Sequence, residues 1–267
     1  MPLINYIGNR QECLDNKRGG RGNAPEPIFL DYLVVGGGNY GELAAGGGGG
    51  VVSGSIRFLP RFTLDVIVGN GGTGSGLIPA QPSILQSVPN EFFVYAGGGD
   101  SSTSGEPQSN PPGNEFENYS QGGAGGSSQS GENAPLVNQG GAGGSGSFWM
   151  IDISGSFPLS PQPGIYGGGG GGYGAAVIAD QALGGAGGQG GGGRGEGFNL
   201  AAENGVNGLG GGGGGIRFNP NTNGGSGVVK LRYPSGSVSG AIGGTIDVAN
   251  GYVYHTFTGS GQFIYQP

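Results

Sequence analysis

Apolar residues along this sequence come in short runs, and most of the runs end in glycine. Residues 28–35 (IFLDYLVV) stop at Gly36-Gly37-Gly38. A β-branched and aromatic octet closed by a breaker predicts a strand. Residues 51–59 (VVSGSIRFL) predict a second strand after the glycines of 46–50. In residues 61–68 (RFTLDVIV), Phe62, Leu64, Val66 and Val68 alternate with Arg61, Thr63, Asp65 and Ile67. Period two marks a strand with one buried face. Gly69-Asn70-Gly71-Gly72 after it reads as a turn. Residues 91–96 (EFFVYA) and 228–233 (VVKLRY) predict two more strands, the last closed by Pro234. Near the end, residues 245–248 are strand-like. Residues 251–258 and 262–265 flank Gly259-Ser260-Gly261 and read as a β-hairpin. Residues 175–183 (AAVIADQAL) favour a helix, in an island too short for more than a turn or two.

Between the strands lies a second pattern. Residues 184–197 read GGAGGQGGGGRGEG, with glycine returning every third position at Gly184, Gly187, Gly190 and Gly193. Residues 205, 208, 211 and 214 repeat the spacing. That is neither the 3.6 of an α-helix nor the 2 of a strand. It is the three-residue turn of a polyproline-II-type helix, which has no internal hydrogen bonds. Alone, such a segment is a linker. Packed in numbers, glycine helices can bond to one another, because no side group holds their backbones apart. The expected arrangement is all-β with irregular elements: a strand-framed bundle of polyglycine-II helices plus a C-terminal β-hairpin module. The domain reading is 1–28 as an N-terminal arm or attachment segment, 29–234 as the glycine-rich domain and 235–267 as the C-terminal module. The 184–197 stretch reads as one rod, with alanines and Gln189 on outer faces and all-glycine positions innermost.

Composition sharpens this. There are 71 glycines in 267 residues and 17 prolines, without a Gly-X-Y repeat, so collagen is out. Charged residues make up only 10%, against the charge-rich habit of disordered proteins. Apolar residues make up 34%, too few for a conventional core throughout. Order must come largely from paired backbone groups. The net charge of −7 opposes nucleic-acid binding, despite the RGG-like Lys17 to Gly22. No apolar run is long enough to span a membrane, and no signal peptide is expected. Cys13 stands alone, which leaves neither a disulfide framework nor a thiolate metal site.

Catalysis needs a placed nucleophile, acid, base or metal. One histidine, one cysteine and scattered carboxylates supply no such constellation. The abundant G-x-G-x-x-G matches follow from composition alone and carry no dinucleotide signal. The expectation is a non-enzyme without cofactor or metal. Binding residues are sought in the interruptions between glycine runs, because loops carry function on rigid scaffolds. Candidate receptor contacts are Phe116, Tyr119, Trp149, Tyr166 and Phe198, although the 148–157 run around Trp149 also reads as a strand plugging the bundle edge. Candidate attachment residues are Arg10, Lys17, Arg18 and Arg21 in the arm and His255 and Phe257 in the hairpin.

Residues 30–38 (LDYLVVGGG) resemble the opening of glycine-rich domains in virion proteins of tailed bacteriophages, and 224–233 (GGSGVVKLRY) the closing strand of those domains. Residues 251–263 (GYVYHTFTGSGQF) resemble their G-Y-x-x-H-x-F hairpin, here placed last rather than first. The resemblance implies a virion protein made in the host cytoplasm, with other virion proteins as partners. It implies a tail-fibre or tail-tip adhesin whose loops bind a host surface receptor, as a homo-oligomer (trimer) or docked on an oligomeric component. The alternative is a structural role as capsid decoration, head fibre or tail connector. An ice-binding role would need regular Thr, Ala or Ser rows, which the irregular segments lack.

Overall fold

The computed structural model describes residues 27–58, 61–89, 91–100, 122–135, 139–149, 164–174, 182–218, 220–237 and 240–265. The expected arm with Arg10, Lys17, Arg18 and Arg21, the contacts Phe116 and Tyr119, and most of the helical island at 175–183 lie outside these residues.

The protein is nearly all β. Its strands are β1 (Ile28–Val35), β2 (Val51–Phe58), β3 (Phe62–Ile67), β4 (Ser83–Val88), β5 (Phe93–Ala96), β6 (Ser147–Phe148), β7 (Ile165–Tyr166), β8 (Val228–Pro234), β9 (Thr245–Ala249), β10 (Tyr252–Phe257) and β11 (Gly261–Tyr265). A five-stranded sheet has the order β2-β1-β8-β10-β9, a four-stranded sheet the order β11-β3-β4-β5, and β6 pairs with β7. Among the described residues every strand pairing is antiparallel. The two larger sheets face each other across one core. Leu30, Val34, Val229 and Leu231 from one sheet meet Leu64, Val66, Leu85 and Phe263 from the other. Alternation puts them there: Leu64 and Val66 are buried while Ile67 is exposed.

The C-terminal strands are not a separate module. β10 lies beside β8 within the five-stranded sheet, while β11 pairs with β3 on the opposite sheet. Residues 258–260 therefore cross from one sheet to the other, and the expected hairpin at Gly259-Ser260-Gly261 is instead a corner. The real hairpin joins β9 to β10 through Asn250 and Gly251, both at positive φ (51° and 79°). This is the two-residue turn that Asn-Gly favours.

Glycine segments continue the strands and bond to several neighbours in rotation. Gly168, Gly171 and Gly174 donate N–H bonds to the carbonyls of Gly190, Gly193 and Glu196 at 2.9–3.0 Å. The interleaved Gly169 and Gly172 donate to Gly144 and Gly141, and Gly170 to Gly46. Each neighbour thus recurs every third residue. Some neighbours run parallel, as 168–174 beside 190–196, and others antiparallel, as 169–172 beside 141–144. Residues 184–197 are not one rod. The backbone turns back at 189–191, and Gly195 donates to Gly185 across the reversal. Gln189 and Ala186 are exposed as expected, but Ala124 is buried, because its N–H and carbonyl both bond to neighbouring segments. Residues 69–72 are likewise no turn: Gly224 donates to Gly72 and Gly227 to Gly69, again three apart.

His255 and Phe257 point into this fold rather than toward a partner. Both are buried. The His255 ring bonds the Tyr233 hydroxyl through Nε2 (3.0 Å) and the Gly243 carbonyl through Nδ1 (2.7 Å), tying β10 to β8 and to the turn before β9. The Gly243 carbonyl can only accept, so Nδ1 carries the hydrogen and Nε2 accepts from tyrosine. Burial pushes the imidazole below its ordinary pKa of 6.5, against a smaller opposing pull from the Gly243 carbonyl.

Packing and protonation each make a measurable claim. Gly212→Ala would drive a Cβ into the Gly46 carbonyl oxygen, whereas at Gly259 no atom lies within 4 Å. In chemical denaturation the first loses about 1–3 kcal/mol and Gly259→Ala stays within about 0.5 kcal/mol of wild type. For His255, a depressed folded pKa means stability is whole above pH 6.5 and is lost as pH falls below it, because the unfolded state takes the proton first. The protein has one histidine. The slope of unfolding free energy just below pH 6.5, at most about 1.4 kcal/mol per pH unit, is expected to flatten in His255→Gln.

Candidate binding end of the glycine bundle

Each strand that feeds a glycine segment sets its direction. β1 runs out through 36–39, the backbone turns at 40–45, and 46–50 returns to β2. The bonds fix the order: Gly36 meets Gly50 beside the sheet, and Asn39 meets Gly47 farther out. β3 leads through 68–72 to a reversal at 73–80, followed by re-entry at β4. Later segments weave between the same two levels. Residues 127–129, 189–191 and 207–209 turn at the sheet side. Residues 197–200, and 216–218 with 220–222, lie at the free end, where Glu196 N–H bonds Gly215 and Ile216 N–H bonds Glu42. Asp100 and Gly174, each next to residues that are not described, and Leu183 also lie at that outer level. Gly47 donates to the Asp100 carbonyl, Gly174 to Glu196 and Gly140 to Leu183.

Several large apolar side groups sit on the free-end turns. Leu43, Leu77, Ile78, Leu183, Phe198, Leu200 and Phe218 are all exposed there, with Phe218 at 81%. Exposed apolar side groups of this size, where they adjoin, mark interaction sites. Glu196 orders part of this end. Itself buried, it accepts the backbone N–H of Arg217 (2.6 Å) and Phe218 (3.0 Å) on Oε2. The carboxyl group thereby caps two amides that no rod supplies, and fixes the turn that displays Phe218. The Arg217 guanidinium lies 4.8 Å from the Phe218 ring centroid, a cation–π contact that stiffens the pair. Nearby, Phe198 N–H bonds the Ala182 carbonyl, which brings Phe198 beside Leu183. Arg194 pairs with Glu203 at 3.2 Å, an exposed bridge of little energetic weight.

Of the described contact candidates, Phe198 alone faces solvent here. For Trp149 and Tyr166 the expectation is corrected: both are buried, in a second cluster with Leu33, Val35, Val51, Leu209 and Val228. They cover the outer face of the five-stranded sheet where the rods begin, so their rings are not offered to a partner. Tyr166 also accepts a hydrogen bond from Lys230 Nζ (2.5 Å), which gives the buried lysine on β8 a polar partner. Leu43, Leu77, Ile78, Leu200, Arg217 and Phe218 were missed by sequence reasoning. The signal was present: each interrupts a glycine-rich stretch. The direction of each segment was needed to tell a free-end interruption from one against the sheets.

Replacing Glu196 by alanine removes two charge-assisted bonds and strands two amides. The expected cost is about 1.5–3 kcal/mol, with faster hydrogen exchange at Arg217 and Phe218 while β1 and β8 amides keep their protection. Unchanged exchange at 217 and 218 would mean that the carboxyl group does not hold the turn.

No curated protein and no solved structure matches this sequence. A family model described as a glycine-rich domain matches residues 21–234. The match takes in β1 through β8 and every rod between them, and the chain belongs to the glycine-rich domain family.

Proposed function

We propose that this is a non-enzymatic virion protein of a tailed bacteriophage, a tail-fibre or tail-tip adhesin that holds host-binding loops on a rigid polyglycine-II scaffold. The observation that carries the reading is the set of exposed apolar residues on the free-end turns of the bundle, Phe218 foremost. Aromatic side groups on well-anchored turns are the usual energetic centres of protein contacts. Phe218 and Phe198 have that character, and the sheets at the other end provide a wall for docking on a fibre. The resemblance to phage glycine-rich domains supplies the virion setting, with other virion proteins as partners and a trimer as the expected assembly.

Purified full-length protein tested for retention on a panel of bacterial cells checks the reading. Binding to some strains is expected, with Phe218→Ser and Phe198→Ser each weakening it about tenfold or more. Phe29→Ser, which alters an exposed residue on the sheet end, is expected to leave it unchanged. Absence of binding to any strain, with the protein located on a capsid or a connector by labelled antibody, would replace the adhesin by the structural role.

A further inference from the structure

We propose that the Asn250-Gly251 step is a site of spontaneous covalent modification, and that the glycine bundle shields the other Asn-Gly steps of the protein from the same reaction. The steps are Asn70-Gly71, Asn204-Gly205, Asn207-Gly208, Asn223-Gly224 and Asn250-Gly251. Their sequence chemistry is alike. Glycine after asparagine leaves the following backbone nitrogen unhindered, so that nitrogen can attack the amide carbon (Cγ) of asparagine. A new bond from that nitrogen to Cγ closes a five-membered succinimide. The original Cγ–Nδ2 bond breaks, and Nδ2 leaves as ammonia with the proton given up by the backbone N–H. Water then opens the ring at either carbonyl. One opening yields aspartate; the other routes the backbone through Cγ as isoaspartate. The balance is asparagine plus water to a carboxylic acid plus ammonia, without a further reactant.

What differs is the hold on the reacting atoms. Asn204 Oδ1 accepts Asn223 N–H (2.8 Å), and the attacking nitrogen of Gly205 is bonded to the Asn223 carbonyl (2.8 Å). Asn207 Oδ1 accepts Ser226 N–H (3.0 Å), and Gly208 N–H is bonded to the Ser226 carbonyl (2.9 Å). Asn223 Oδ1 accepts Gly74 N–H (3.0 Å), and Gly224 N–H is bonded to the Gly72 carbonyl (2.9 Å). Asn70 is pinned at both ends of the residue: its Nδ2 donates to Gln81 Oε1 (3.1 Å) and its backbone carbonyl accepts Gln81 N–H (2.9 Å). Ring closure at Asn204, Asn207 and Asn223 needs a rod to open first, and at Asn70 it needs the paired Gln81 to let go. Asn250 is different. It is exposed at the tip of the β9–β10 hairpin, its amide group makes no hydrogen bond among the described residues, and no atom lies within 4 Å of the Cβ position of Gly251.

The product matters to the sheet. Isoaspartate adds a backbone atom to a two-residue turn whose flanking residues Ala249 and Tyr252 are paired. β9 is an edge strand that pairs with β10 alone, so a misfitting turn loosens it first. The new carboxylate also raises the negative charge of a hairpin that already carries Asp247.

Folded full-length protein incubated at mildly alkaline pH, digested and mapped by mass spectrometry, tests this. Asn250 is expected to convert about tenfold or more faster than Asn204, Asn207 and Asn223, whose reaction waits on local opening, and faster than Asn70, whose side group is tied to Gln81. The same protein held in denaturant is expected to convert all five at similar rates. Conversion of a bundle asparagine as fast as Asn250 in the folded protein, or an unreactive Asn250, would overturn the proposal.

Discussion

In the bundle of this protein, a carbonyl oxygen of one segment repeatedly occupies the place where the next segment would carry a Cβ. Gly171 faces the Gly185 oxygen in this way, Gly143 that of Gly169, and Gly212 that of Gly46. The contact is a Cα–H pointing at a carbonyl, worth about 0.5–1 kcal/mol each, laid over a lattice of full N–H···O bonds. Alanine at such a position cannot be absorbed by rotating a side group, since the atom it meets is backbone. The requirement for hydrogen at these Cα positions fixes the composition, and the composition fixes the rest. Glycine loses more conformational entropy on ordering than any other residue. The segments therefore order only when several neighbours close on each at once.

The sheets meet that condition. β1 and β8 are paired in register from Asp31 with Arg232 to Val35 with Val228, and both continue directly into glycine segments. Two rods are thus aligned at the outset, and the buried cluster around Leu33, Trp149, Tyr166 and Leu209 presses the sheet-side turns against the same wall. Apolar burial, concentrated in the sheets and in that cluster, positions a bundle that has almost none of its own. His255 belongs to the same division of labour. It joins β10 to β8 and to the Gly243 turn, and so keeps the C-terminal strands in a sheet that the rods need.

Much of the framework was legible because strands announce themselves by alternation. Residues 28–35 coincide with β1, and the inward set Leu64, Val66 and Val68 was read from period two alone. Three features were not legible, each for a physical reason. β4 (SILQSV) carries only three aliphatic residues and follows a Pro-rich approach, so nothing in its composition separates it from a loop. Gly259-Ser260-Gly261 can close a hairpin or turn a corner, and the choice rests on β3 offering an edge to β11 from far away in sequence. Gln189-Gly190-Gly191 has the same composition as the rods it separates. The reversal there shows only in positive φ at Gly190 and Gly191, which glycine adopts without any mark in the sequence. The binding end suffered from the same gap. Phe198 was found, whereas Phe218 was passed over, Tyr166 was taken as a contact, and Trp149 was left between a contact and an edge plug, because ring type says nothing about which end of a rod a residue adorns.

The lattice also explains why the polar interruptions look irregular. A rod tolerates a side group only where a face points outward, and an outward face still has backbone groups to satisfy. Asn204 and Asn207, three apart, each accept an N–H from the 223–226 segment, so their amide oxygens serve as a substitute for a missing neighbouring rod. Thr222 does the same within the bundle, donating its hydroxyl to the Gly214 carbonyl (2.7 Å). Glu196 does it at the free end for two amides together. These residues follow the margins of the lattice rather than a repeat of their own. The constraint that makes the interior monotonous therefore leaves the free-end turns open to change. The amides of Gly74, Arg217 and Phe218 there are capped by side groups rather than by rods, and a different cap can hold a different loop on an unaltered bundle.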